Sequence, residues 1–431
     1  MNPARDDRTS DISRRRFVSK GVVAASGAAA WLAGAPYVRA KTSPVVLRVR
    51  GTHVTLQEAI RLRAQEELGF AIEFYPGGSA EVLHKASTEP ESFDLYEQWS
   101  DSIRVLWQAN AIQPIETGRI ERWGEVNGLT KTGRLTPEAP LGKGDAPFRI
   151  INVQEDGTLG SKRTGKLSFL PYVHNTDSIG YNAAVIPRGL PYETESWGWL
   201  LDDSYRGKVA LVNAPTIGIF DAALAAEAKG LMSFKDIGAM TRGEVDQLFK
   251  ILVEYKERGH FRGVWSSVPQ SVDFMASGQV SVQSMFSPGV STLNGMGIPC
   301  VYAAPKEGYR AWHGVMCLSR TTEGPVKEAA YRFMNWWLSG WPGAFIARQG
   351  YYISNPERSR EHLSDAEWDY WYAGQPARGQ LLGTDGKVTV VEGEVRRGGS
   401  YDKRFSNVAV WNTVMDVYEY SLQRWYEFMV S

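Results

Sequence analysis

The sequence predicts an α/β fold in two domains, each a mostly parallel sheet flanked by helices. Three observations predict it. Between Val45 and Ile115, short β-rich runs alternate with helical patterns, the rhythm of a parallel sheet. At 431 residues the chain exceeds one typical core and suggests two. No apolar run long enough to span a membrane follows residue 40, so the remainder is expected to be soluble.

Residues 1–40 are set apart. Ser13-Arg14-Arg15-Arg16-Phe17-Val18 precedes an Ala/Gly-rich apolar stretch, Gly21–Ala35, and Val38-Arg39-Ala40 closes the segment with a cleavage pattern. A charged head, a short apolar core and a small-residue exit describe an export signal, here of the twin-arginine kind. The expected mature chain is Lys41–Ser431, in the periplasm, after passage through the twin-arginine export machinery. No Cys lies near the cleavage site, so a lipid anchor there is not expected.

The elements follow in order. Val45–Val49 reads as a strand and Thr52–Leu68 as a helix that Gly69 stops. Phe70–Tyr75 and Phe93–Tyr96 read as strands around a short helix, Ala80–Ala86. Ser102–Ala109 is a helix and Ile112–Ile115 a strand. Residues 124–166 lack periodicity and read as a long surface excursion. Leu167–Pro171 and Ser178–Asn182 read as two strands around a bend. Helices are expected at Trp197–Leu201, Ile219–Lys229, Arg242–Gly259 and Ser267–Ser277. Strands are expected at Lys208–Val212, from Val264, and at Val280–Phe286. Cys300–Ala303 and Ala311–Leu318 read as a hairpin-like pair. Pro325–Ser339, Asp365–Tyr372 and Ala409–Met429 read as helices, the last with one apolar stripe from Trp411 to Met429.

Composition narrows the function. Lys+Arg and Asp+Glu both number 48, so no basic surface for nucleic acid is implied. Aromatics are abundant, with 15 Trp and 19 Tyr; such rings build cores and also line small-molecule pockets. The two Cys, Cys300 and Cys317, flank a turn signal that would set them opposite each other. Two outcomes stand open, a disulfide in an oxidising compartment or a pair of buried thiols. No metal-ligand spacing occurs, and no cofactor is expected.

Several segments, taken in order, resemble the periplasmic solute-binding proteins of ABC importers, in particular the putrescine/spermidine branch. They are Phe93-Asp94-Leu95 with Ala111–Ile115; Leu170-Pro171-Tyr172 running to Ile179–Asn182; Asn213-Ala214-Pro215; Met275–Gly278; Pro305–Gly308; and Ala329–Leu338 leading to Tyr351–Asn355. The resemblance implies a two-lobed (type II) periplasmic binding protein with a ligand cleft between the lobes. Lobe I would be 41–175 plus 303–365, and lobe II 176–302 plus 366–431 with its C-terminal helix. It further implies a monomer that binds a small molecule, closes on it, and is read by an importer's membrane subunits.

Polyamine-binding relatives hold amines with carboxylates and aromatic rings. Their acidic positions fall here on Gly51-Thr52-His53, Thr216-Ile217, Phe286–Gly289 and Trp312-His313-Gly314, none of them acidic. Aromatic walls persist as Phe286, Trp312 and Tyr352, with Trp99 added. His53, His174 and His313 map near the cleft, with Arg50 and Arg310 close in sequence. The carried-over contacts are therefore Thr52, His53, Trp99, His174, Thr216, Phe286, Arg310, Trp312, His313 and Tyr352. Such a set suits an anionic or zwitterionic ligand rather than a polyamine, with Arg310 gripping a carboxylate. Two alternatives stand beside this: a polyamine, as in the relatives, and ferric ion or a ferric chelate, which paired Tyr351-Tyr352 admits.

An exported enzyme is the rival class. Tyr75–Ser79 is Gly-rich but lacks G-x-G-x-x-G spacing, and no G-x-S-x-G turn occurs. Glu392 and Glu394, followed by Arg396 and Arg397, read as a solvated strand face. A docking protein is a third class, with the aromatic C-terminal tail as its surface. No catalytic residue is expected.

Overall fold

A computed structural model describes residues 45–431; the proposed export segment lies outside the described residues. Among the described residues no helix is long and apolar enough to cross a membrane. Eight strands form the main path of one hydrogen-bonded ladder. Three of them, β1 (Val46–Gly51), β2 (Ala71–Pro76) and β3 (Leu95–Trp99), run parallel, with β1 in the middle. Helices Glu58–Leu68 and Ser79–Thr88 connect them. Gly69, at φ 73°, ends the first of these in the left-handed conformation that costs glycine least.

The chain then crosses the molecule on β4 (Leu170–Asn182), 13 residues long and buried almost throughout. A second parallel group follows: β5 (Val209–Val212), β6 (Phe261–Trp265) and β7 (Val282–Met285), with β5 central. The return crossing is made in two pieces. β8 (Cys300–Tyr302) pairs with the far end of β4, and β9 (Tyr309–Ser319) pairs with its remainder and with β3, all antiparallel. The order β6-β5-β7-β4-β9-β3-β1-β2 thus joins two parallel groups through antiparallel crossing strands. This is a mixed α/β architecture of two sheet groups flanked by helices.

One core fills the first group, from Leu47 to Tyr172 and from Trp312 to Ile353. A second fills the other group, from Ile179 to Val301, and takes Trp425 and Phe428 from the C-terminal helix Tyr418–Val430. A third, aromatic cluster joins Tyr352, Tyr370, Trp371, Tyr401, Phe405 and Trp411 with Leu129 and Ala146.

Several expectations are corrected. Cys300 and Cys317 are not opposite each other: Cys300 faces Asn182 at one end of β4, while Cys317 faces Tyr96 on β3 beyond the other end. At ~3.3 Å per residue that separation is about 40 Å, and both are buried free thiols. The two strands read as a hairpin pair along the same edge of β4, not with each other. The two strands read around a bend at 172–177 are the single strand β4. Residues 408–411 form a strand, β10, beside β9, not the start of a helix. The strand expected from Val264 ends at Trp265.

The excursion 124–166 is not merely superficial. Short strands at Asn152–Val153 and Leu159–Gly160 join a small sheet with Ile115–Glu116 and Lys166–Leu167, and Leu129, Ile150 and Ile151 are buried. Finally, Glu392 and Glu394 stand in a loop after Val388–Val390, Arg396 is buried, and Arg397 pairs with Glu195 at 2.8 Å.

Candidate functional site: an aromatic cleft

Alternation along the crossing strands divides their side chains between two faces. On β9 and β4 the register sets Arg310 opposite Asp177, Trp312 opposite Asn175 and His313 opposite His174. Asp177 and Trp312 share one face, and it lines a cavity of ≈ 50 Å³. The rest of the wall is Val54, Trp99 and Tyr351 from the first sheet group, Ile217 and Phe286 from the second, and Asn412 after β10. Trp99 and Tyr351 meet Trp312 edge to face, at 4.5 and 5.6 Å between centroids. The cavity is therefore an aromatic box built from both sheet groups, with a polar floor.

That floor is rich in buried charge. Arg310 is wholly buried and donates Nε to Asp221 Oδ1 at 2.6 Å, and Nη1 to Asn412 Oδ1 at 3.1 Å and Asp177 Oδ2 at 3.4 Å. Two carboxylates thus face one guanidinium. Burial pushes Asp177 up to about 6 despite Arg310 and the hydroxyl of Tyr302, which donates to it at 2.9 Å. Burial raises Asp221 as well. Several atoms nearby have no partner among the described residues: both amide atoms of Asn175, Nη2 of Arg310 and Oδ2 of Asp221. Unpartnered polar atoms are rare in cores, and each one calls for an explanation such as a bound ligand or water.

Asp101 adds a third carboxylate. It follows Trp99, is 5% exposed, and has Oδ1 unpartnered; burial pushes it up to about 6, while the hydroxyl of Thr216 across the cleft lowers it.

The structure brings Trp99, Phe286 and Trp312 together around the cavity. The other sequence candidates lie elsewhere. Thr52 donates its N–H at 3.0 Å and its hydroxyl at 3.3 Å to the buried carboxylate of Glu97. His53 is exposed to solvent. His174 and His313 occupy the opposite face of the crossing strands, 4.9 Å apart between ring centroids, among Tyr352, Tyr401 and Phe405. Burial keeps both well below the usual imidazole range, His313 at about 4, so both are neutral at pH 7. Tyr352 belongs to that cluster and is fully buried; its neighbour Tyr351 lines the box instead. Thr216 sits in the first turn of helix Pro215–Ala228, one residue before the lining residue Ile217. Arg310 lies beneath the cavity, paired with Asp221 at 2.6 Å and Asp177 at 3.4 Å, with Nη2 left unpartnered. Among the described residues that line this cavity there is no His, Arg or Lys.

The residues missed were Val54, Asp101, Asn175, Asp177, Asp221 and Asn412, and Tyr351 was singled out only as one of a pair. Asp177 carried one available signal: it is a charged residue inside a β-rich run. No group of His, Cys, Asp or Glu able to hold a metal occurs among the described residues.

The comparisons agree with this architecture. The spermidine/putrescine substrate-binding protein of Streptococcus pneumoniae is similar in fold, at 13% identity and TM-score 0.59 over 89% of this chain and 99% of that one. So is AgtB of A. tumefaciens in complex with agropinic acid, at 13% identity and TM-score 0.53 over 90% and 99%. MotA of A. tumefaciens in complex with glucopine gives 13% identity and TM-score 0.55 over 89% and 99%. No curated protein matches the chain in sequence. The sequence model of one family, described as bacterial extracellular solute-binding protein, matches residues 63–368, well over half of the chain. With its aromatic cleft between two sheet groups, the chain belongs to the bacterial extracellular solute-binding protein family.

Proposed function

We propose that this chain is the solute-capturing subunit of an ABC importer, and that its cleft takes a compact organic cation, an amine or quaternary ammonium group. One observation carries the ligand class: buried Asp177 and Asp221 face only one guanidinium, beneath the rings of Trp99, Phe286, Trp312 and Tyr351. The unbalanced negative charge favours a cation, and aromatic faces attract it through their quadrupoles. The expected anionic or zwitterionic ligand depended on His53, His174 and His313 lining the cleft beside a free Arg310; none of the three His is in its wall, and Arg310 is paired with Asp177 and Asp221.

Lobe I is assigned 41–175 plus 303–365 and lobe II 176–302 plus 366–431, the aromatic cluster around Tyr401 straddling them. The protein acts in the periplasm as a monomer, is exported folded through the segment around Arg14-Arg15, and docks closed on the importer's membrane subunits. It performs no catalysis.

Titration calorimetry of residues 41–431 with choline, putrescine and succinate tests the ligand class. Saturable binding of choline or putrescine is expected, weakened at least tenfold, about 1.4 kcal/mol, in Trp312→Ala and in Asp177→Asn. Succinate binding that depends on Trp312, with neither cation bound, sinks the proposal.

A further inference from the structure

A second cavity, of ≈ 580 Å³, opens between helix Ser287–Gly295, strand β8 and the loop 388–397. Tyr302 stands in its wall and donates its hydroxyl to Asp177, so this chamber adjoins the aromatic box. Its lining includes Arg396 and Arg404, both beyond the family match at 63–368.

The two arginines are unlike any other buried cation described here. Arg396 is 9% exposed and Arg404 1%. The guanidinium of Arg396 lies between the rings of Tyr352 and Trp371, 4.8 Å from each centroid. It donates Nη2 to the Gly350 carbonyl at 2.8 Å, and Nη1 has no partner. Arg404 donates Nη1 to the Arg397 carbonyl at 2.7 Å and Nη2 to Thr176 Oγ1 at 2.9 Å, and its Nε has no partner. Among the described residues neither forms an ion pair. Buried Arg310 has two carboxylates, and Arg397 has Glu195. The acids of the lining do not compensate: Glu392 is exposed, and Glu394 accepts the Tyr370 hydroxyl at 2.7 Å.

A buried guanidinium without a counter-charge is costly, and rings and carbonyls offset that cost only in part. Two of them beside one cavity call for an anion. The apolar side chains of Val290, Ile298 and Val390 complete the wall and call for an apolar body on it.

We propose that this side chamber is a second ligand site, selective for a small organic carboxylate held by Arg396 and Arg404. It is independent of the cation proposed for the cleft.

Benzoate is the probe, titrated by calorimetry into residues 41–431 at constant ionic strength, beside inorganic phosphate. Saturable benzoate binding is expected, at least tenfold weaker in Arg396→Gln, with the Trp312→Ala variant telling the chamber from the cleft. No saturable binding overturns the proposal. So does equal affinity in Arg396→Gln, loss of benzoate in Trp312→Ala, or binding of phosphate alone. Should Arg396→Gln fail to fold, bromide-soaked crystals of the unsubstituted protein decide. An anomalous peak beside Arg396 and Arg404 supports the site, and its absence overturns it.

Discussion

Asp101 is buried near the cleft with one oxygen unpartnered, and it is held at about 6 rather than 3.8. The folded state therefore binds this proton more tightly than the unfolded chain does. Stability from this group is fully present below about pH 4 and lost as pH rises to 6. Asp101→Asn is expected to raise stability at pH 7.5, by on the order of 3 kcal/mol, and to leave it unchanged at pH 4. His174 and His313 act in the opposite sense. Their lowered values mean that stability is lost as pH falls from about 6.5 toward 4. In the wild type the two trends partly cancel between pH 4 and 6; in Asp101→Asn the acid loss should steepen. Urea unfolding at pH 4, 5, 6 and 7.5 checks this, and parallel profiles for the two proteins contradict it. The tyrosine pair separates just as cleanly. Tyr352→Ala empties a fully buried site and is expected to cost about 3–5 kcal/mol. Tyr351→Ala should instead lose ligand affinity at a smaller cost in stability, read by calorimetry and urea unfolding of both variants. A ligand loss confined to Tyr352→Ala would reverse the assignment. The sequence could not decide between these neighbours, because alternation fixes that they diverge but not which one faces the cleft.

At the scale of elements, β4 and the return crossing determine what could be foreseen. The thiols give the sharpest test. Burial raises the Cys300 thiol to about 12 and pushes the Cys317 thiol well above its ordinary range, so neither presents a thiolate at neutral pH. Iodoacetamide at pH 8 is expected to leave the native protein unmodified and to alkylate both cysteines after unfolding. A reductant should leave the melting temperature unchanged. A shift on reduction would restore the disulfide. The hairpin expectation failed because Pro305–Gly308 does form a turn, but β4 is long enough to pair with the strands on both sides of it. β4 itself was divided because His174-Asn175-Thr176-Asp177-Ser178 looks like a loop. His174, Thr176 and Asp177 among them are stabilised by Tyr401, Arg404, Tyr302 and Arg310, partners distant in sequence. The parallel groups were legible for the converse reason: β1, β2, β5 and β7 follow local patterns, each next to a helix with its own stop or cap. Trp411 and Met415, four residues apart, imitated a helix stripe through 408–411, where the alternating Val408 and Val410 in fact belong to a strand.

At the scale of the whole molecule, function depends on how the two sheet groups meet over the cleft. Segment 143–145 acts as a strap. Arg104 grips Asp145 at 2.6 Å from the first group, while the Asp145 N–H donates to Thr413 Oγ1 at 2.7 Å and Lys143 bridges to Val410. Gly144 also packs so closely on Gly238 that a Cβ at Gly238 would collide with its backbone. At Gly350, by contrast, a Cβ would meet the side-chain hydroxyl of Ser287. Gly144 and Gly238 let their backbones approach without side chains, so a branched side chain at Gly238 acts as a wedge. Gly238→Val is expected to favour an open arrangement while leaving both cores intact. Apparent affinity falls in proportion to the closed fraction. A drop from mostly closed to about one-tenth closed therefore weakens binding roughly tenfold, without touching any residue of the aromatic box. Small-angle scattering should show a larger radius of gyration for the ligand-free variant, contracting when ligand is added. A variant that binds as tightly as the wild type, with an unchanged radius, would mean that the strap does not control closure. Trp312→Ala makes the contrast: it should lose affinity with no change in ligand-free size, which separates a damaged pocket from a displaced equilibrium.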